Sequence, residues 1–191
     1  MMLEGSLVTI RTLQIEDAKS LLKLIKNNKD FWADTEPRRR DSYYTIEVQR
    51  EMIKRSLNAM QNGTGYSFGV FSKKSGKLIG DISLYDVRKS PFQSAYVGYS
   101  IDKREVGKGY ASDSLVLSLS FAFEHLNLHR VAAGVMPRNH ASKRVLERVG
   151  FQKEGLLREN VCINGVWEDH LQYSILRNEW LQGKRKINHL F

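Results

Sequence analysis

Apolar and polar positions along the chain follow two rhythms, the alternation of strands and the wider spacing of helical faces. Residues 7–13 read as a first strand, and beyond them Ala18, Leu21, Leu22 and Ile25 recur on one helical face. A second helix is predicted over 45–61, with Ile46, Ile53, Leu57 and Met60 on its buried side and Asn62-Gly63 as its stop. Strand-like segments follow at 66–71, 78–86 and 94–101, the first two joined across Lys73-Lys74-Ser75-Gly76, a glycine-containing hairpin connection. In the third, Ala95, Val97, Tyr99 and Ile101 alternate with smaller or polar residues, as a half-buried strand requires.

The rhythm then changes. Residues 110–126 are apolar almost all round, which predicts a helix packed centrally against a sheet. A strand over 130–136 follows, Pro137 and Asn139 interrupt the pattern, and 141–149 returns to helical spacing with Gly150 placed as a left-handed cap. Segments 151–154, 160–163 and 166–175 read as strands, with Asn164-Gly165 as a tight hairpin turn. The order implies an α/β (α+β) fold, a mixed, mostly antiparallel sheet of about seven strands flanked by about four helices. Without a repeat, a low-complexity tract or a linker, residues 1–191 are expected to form a single domain.

Composition narrows the function. No apolar run approaches the roughly 20 residues of a membrane span, and the first residues lack a basic region followed by an apolar stretch, so a cytoplasmic protein is expected. A lone cysteine, Cys162, excludes an internal disulfide and a cysteine-built zinc site, and it is expected to be buried in its strand. His125 and His129 have the spacing of a helical metal pair, but Asn127 and the helix end near Leu126 should turn them apart, so no metal is expected. The net charge of +9 implies an anionic partner: a nucleic acid, a ribosomal surface or a phosphate-rich cofactor. The clusters Arg38-Arg39-Arg40 and Lys184-Arg185-Lys186 read first as solvated surface, and Trp167 and Trp180 as core residues.

The most informative segment is a strand followed by Arg104-x-x-Gly107-x-Gly109 and a long helix. Glycines at such a turn let the backbone approach an anion closely, and the unpaired amides at the helix start receive it. The segment lacks the Gly-Lys-Ser/Thr ending of a P-loop and the glycine spacing of a dinucleotide site. An ordinary glycine turn is the bland alternative.

This pattern resembles the acetyl-coenzyme A signature of the GNAT acetyltransferases. Asn139-x-x-Ser142 followed by Leu146-x-x-x-Gly150-Phe151 is similar to the next motif of that superfamily. Glu154-Gly155, Asn164-Gly165, Trp167-x-Asp169 and Glu179-Trp180 resemble the subfamily that acetylates the N-termini of ribosomal proteins. The resemblance implies acetyl-CoA as cofactor, with the backbone of Gly107, Lys108, Gly109, Tyr110 and Ala111 on the pyrophosphate. It implies Ile101 and Asn139 on the pantetheine arm, with added charge from Arg104, although an arginine at a turn has an equally good structural reading. Many members place a tyrosine proton donor where this chain has Leu146, and the ribosomal subfamily resembles it in offering a serine one turn earlier, Ser142. The competing role for Ser142 is a helix cap. Glu159 is the implied base, with Asp81 and Asp102 as rivals.

The implied reaction moves an acetyl group to a primary amine, the α-amine of a protein or peptide N-terminus, ribosomal in the subfamily's case, with a homodimer as the candidate assembly. Acetylation of a small amine such as an aminoglycoside or polyamine is the alternative within the enzymes, although a chain of +9 is poorly suited to cationic substrates. A basic nucleic-acid or ribosome-binding module explains the charge but not the glycine segment.

Overall fold

The computed structural model describes residues 1–187, and side chains as far as 183, so the Lys184-Arg185-Lys186 side chains lie outside the described part. Eight strands form one sheet: β1 (Met2–Glu4), β2 (Val8–Arg11), β3 (Tyr66–Ser72), β4 (Leu78–Arg88), β5 (Ser94–Ile101), β6 (Arg130–Val135), β7 (Gln152–Ile163) and β8 (Val166–Leu176). Their order across the sheet is β1-β2-β3-β4-β5-β6-β8-β7. Every neighbouring pair is antiparallel except β5–β6. The helices are α1 (Ala18–Trp32), α2 (Ile46–Gln61), α3 (Tyr110–Ser120), α4 (His140–Val149) and α5 (Arg177–Ile187). The mixed, mostly antiparallel α/β class expected from the sequence is the one observed.

The all-round apolar segment is the centre of the packing. Leu115 and Leu119 of α3 are fully buried with Val70, Ile82 and Leu84 of the sheet, each such side chain contributing about 1.5–3 kcal/mol on burial. After Ser120 the helix widens into a π turn, Phe121–His125, which presents Phe121 edge-on to Tyr66 and Phe68. One polar residue of α3 is buried for a reason. Asp113 accepts hydrogen bonds from the amides of Leu7 (2.7 Å) and Val8 (2.9 Å), fixing the start of β2 to the central helix.

Two elements escape the sequence pattern. The three residues of β1 are too few to show alternation, and α5 carries Trp180 into the core with Glu179 accepting from the Leu176 amide at 2.8 Å. The two short strands expected before Asn164 are one strand, β7, whose register shifts between Lys153 and Gly155 and between Leu157 and Val161. As an edge strand β7 turns one face outward, and this corrects two expectations. Cys162 is exposed rather than buried, and its cross-strand partner Trp167 is 60% exposed rather than a core residue. Among the described residues no helix is long and apolar enough to cross a membrane.

Candidate active site

The single parallel pair of the sheet creates the site. Strands β5 and β6 are in register only from Ser94, Ala95 and Tyr96 to Arg130, Val131 and Ala132, and beyond these they part. The last residues of β5, through Ile101, therefore have a ladder partner on one side only, the side of β4. Buried backbone groups left in this way require a partner. The gap opens into a cavity of about 1090 Å3 walled by the glycine turn, the start of α3, the start of α4 and the β7–β8 turn.

Local geometry at the glycine turn follows from the residues. Gly107 (φ 81°) and Gly109 (φ 85°) both lie in the left-handed region that side chains disfavour, and a Cβ on Gly107 would meet nothing within 4 Å. The glycine at 107 thus serves backbone conformation rather than space. Gly107, Gly109, Tyr110 and Ala111 line the cavity, and the first amides of α3 have no partner within the helix. Such a helix start is suited to a pyrophosphate. The residues present fit coenzyme A: an unpaired strand edge for an amide-bearing arm, and a helix start for its phosphates.

The charged residues of this turn are engaged with each other. The Arg104 guanidinium binds Asp102 at 2.6 and 3.1 Å, and it holds that carboxyl below its usual range. Lys108 pairs with Glu105 at 2.8 Å. Neither basic side chain is among those lining the cavity, so both brace the turn.

At the other wall, Asn139 caps α4, its Oδ1 accepting from the Ser142 amide at 3.0 Å. The cap position considered for Ser142 thus belongs to Asn139, and the serine hydroxyl is free for another use. It lies 2.9 Å from the hydroxyl of Tyr99 on β5. Burial pushes the Tyr99 phenol up to about 12, against a smaller opposing effect of the Ser142 hydrogen bond, so the pair stays protonated around neutral pH. Tyr99 was not anticipated as a functional residue. The signal was present in its alternation with Ile101 on β5, but only the splaying of β5 from β6 exposes that face to a cavity.

Glu159 stands elsewhere. It occupies the register shift of β7 with φ 48°, exposed, its amide donating to Asp169 at 2.8 Å, and it lines neither cavity. Asp81 lies in a second, smaller cavity of about 300 Å3 between the sheet and α1, α2 and the loop joining them. Ser100, Trp32, Ala33, Glu36 and Arg38 line both cavities. The Ser100 hydroxyl donates to Glu36 at 2.6 Å, and Trp32 Nε1 donates to the Ile101 carbonyl at 3.2 Å. Burial, and then the nearby Glu36 carboxylate, raise the Asp81 carboxyl to about 7. Across the shared rim, Asn164 donates to the Ala33 carbonyl (3.0 Å) and accepts from the Arg38 amide (2.7 Å), joining the β7–β8 turn to the loop after α1.

A splayed parallel pair, a glycine-turn helix start and a hydroxyl donor at the gap define an acyl-CoA-type transferase. The chain belongs to the acetyltransferase (GNAT) domain family, whose model matches residues 8–152, and it is an N-acetyltransferase of that family. It is 43% identical over 92% of its length to the probable N-acetyltransferase YjcK of Bacillus subtilis, covering 97% of that protein. The ribosomal-protein-S5-alanine acetyltransferase of Vibrio fischeri superposes with a TM-score of 0.88 at 30% identity, over 94% of this chain and 98% of that one. Mycobacterium smegmatis RimJ, solved in complex with CoA-disulfide, shares the fold with a TM-score of 0.84 at 24% identity, over 93% of this chain and 90% of that one.

Proposed function

We propose that the chain transfers the acetyl group of acetyl-CoA to the N-terminal α-amine of a protein. The observation that carries this reading is the meeting, at one splayed strand edge, of a glycine-turn helix start and the Tyr99–Ser142 hydroxyl pair. The cofactor supplies an activated acetyl thioester. The free edge of β5 near Ile101 positions its arm, and the turn Gly107–Ala111 receives its phosphates. Ser142 and Tyr99 hold a proton where the sulfur departs, and a donor placed at developing charge lowers the barrier.

The α-amine as acceptor is supported by the 30% identity to a protein that acetylates the alanine of ribosomal protein S5. Chemistry agrees with it. An α-amine, with a pKa of about 7.7–8.0, is roughly a tenth neutral at pH 7, against well under a thousandth for lysine near 10.4. Free thiol release from acetyl-CoA tests the proposal, with peptides bearing free N-termini, lysine peptides with blocked N-termini, spermidine and an aminoglycoside as acceptors. Faster turnover of blocked lysine peptides or of the small amines than of free N-termini would overturn it.

A further inference from the structure

The glycine turn answers only part of the negative charge of the coenzyme. Its pyrophosphate suits the amides at the start of α3, but its ribose carries a further 3′-phosphate. That group is a monoester bearing a charge of about −1.5 to −2 at neutral pH, and a helix start supplies only about half a positive charge. The two cations of the turn are committed elsewhere, Arg104 to Asp102 and Lys108 to Glu105. The arginines that line the cavity are Arg38, Arg138, Arg144 and Arg148. Arg138 is forked onto Glu168, at 2.5 and 2.7 Å, and Arg38 stands on the rim shared with the second cavity. Arg144 and Arg148 remain. They lie one turn apart on α4, both exposed, and neither guanidinium has an ion-pair or hydrogen-bond partner among the described residues. Arg148 is six residues beyond Ser142, about 9 Å along the helix, so the pair stands away from the reacting end of the cavity. Ala111 and Ser112 of α3, which packs against α4, line the same cavity. Like charges one turn apart repel each other. The last turn of α4, at its negative end, accounts for Arg148 without a ligand, but Arg144 in the middle of the helix has no such reason to be basic.

We propose that Arg144 and Arg148 clasp the 3′-phosphate of the coenzyme, so that the protein distinguishes coenzyme A from its 3′-dephospho form by charge on α4, while Arg104 takes no direct part. The inference rests on the proposed use of acetyl-CoA. The planar guanidinium fork matches phosphate oxygens two at a time, and two such forks one turn apart can take the group from either side. Ligand charge also removes the repulsion between the two arginines, so each gains from the presence of the other. Because both are exposed, the effect is screened by salt, with a Debye length of about 10 Å at 0.1 M.

Calorimetry with coenzyme A and 3′-dephospho-coenzyme A, which differ only in this phosphate, tests the proposal. The proteins are the parent, Arg144→Gln, Arg148→Gln, the double variant, and two controls that each remove a positive charge nearby, Arg104→Gln and Lys143→Gln. At low salt the parent should bind coenzyme A at least about tenfold more tightly than the dephospho form, and the ratio should shrink as salt rises. Each α4 variant should lose about three- to tenfold for coenzyme A and less than about twofold for the dephospho form, and the double variant should bind the two alike. Both controls should keep the parent's ratio. A parent that binds neither ligand would sink the use of acetyl-CoA itself. A parent that binds both ligands with one affinity, α4 variants that weaken both ligands equally, or a ratio that collapses in Arg104→Gln or Lys143→Gln would sink the arginine clasp and leave the use of acetyl-CoA standing.

Discussion

Replacing Asp81 by asparagine should stabilise the protein, by an amount that depends on pH. The carboxyl titrates near 7 in the folded chain, chiefly because burial disfavours its charge and secondarily because Glu36 is close. Unfolded, it titrates near its ordinary value of about 3.9. The folded state therefore binds the proton more tightly, and between these two values stability falls as pH rises, because the folded chain must give up a proton it prefers to keep. At about 1.4 kcal/mol per factor of ten, the ceiling on this cost is about 4 kcal/mol, reached above pH 7. The cavity beside Asp81 admits water, which eases the charge, so a gain of about 1–3 kcal/mol for Asp81→Asn is expected. Urea denaturation followed by tryptophan fluorescence, at about pH 5 and about pH 8.5, should show roughly half or more of that gain at the lower value and all of it at the higher. A difference independent of pH, or a variant less stable than the parent at alkaline pH, would refute the buried-charge argument.

Three further outcomes are expected. Gly107→Val should leave the fold intact, since its Cβ meets nothing, yet weaken acetyl-CoA binding by tenfold or more in calorimetry, because the left-handed backbone costs about 1–2 kcal/mol with any side chain. Equal affinity would place the phosphates elsewhere. Ser142→Ala should lower turnover by about 10²–10⁴-fold with cofactor affinity and melting temperature nearly unchanged, and Tyr99→Phe should act in the same direction; near-normal turnover in both would remove the hydroxyl pair from the chemistry. Asn139→Ala should cost about 1 kcal/mol of stability as a lost helix cap, read as a lower melting temperature, whereas the same loss in Ser142→Ala would reverse the cap assignment.

What the sequence discloses here divides along a physical line. Periodic elements with their own caps were legible: α2 is capped by Thr45, whose hydroxyl accepts from the Val48 amide, and α4 is closed by Gly150 with φ 102°. The glycine turn was legible because positive φ has a chemical signature in residue choice. Elements defined by partners rather than by rhythm were not. The strand β1 is three residues long, and α5 shows itself only through Trp180 meeting Phe123 in the core. Cys162 was misjudged because an apolar residue in a strand carries no mark of whether that strand lies at an edge, and Trp167 because no local window shows that β6 pairs with β8 only over Leu171–Leu176 and stops short of it. In the site, Ser142 and Asn139 were singled out by the family resemblance, but their division of labour depends on which of the two reaches the helix amide. The Tyr99 hydroxyl and the Asp81–Ser100–Glu36 group depend on register between strands distant in sequence, which no local window contains.

The two hydrogen bonds of Asn164 have a consequence for the route by which an acceptor arrives. They carry the β7–β8 turn across to the loop after α1, over the rim that the two cavities share. A trench open along its length accepts a cord laid down anywhere, whereas a trench with a footbridge accepts one only if it is threaded from an end. On the proposed reading, a polypeptide acceptor would meet the second kind: a crossing of this sort would pass a first residue and turn away the middle of a chain, so the covalent architecture of the substrate would be read before any side chain is.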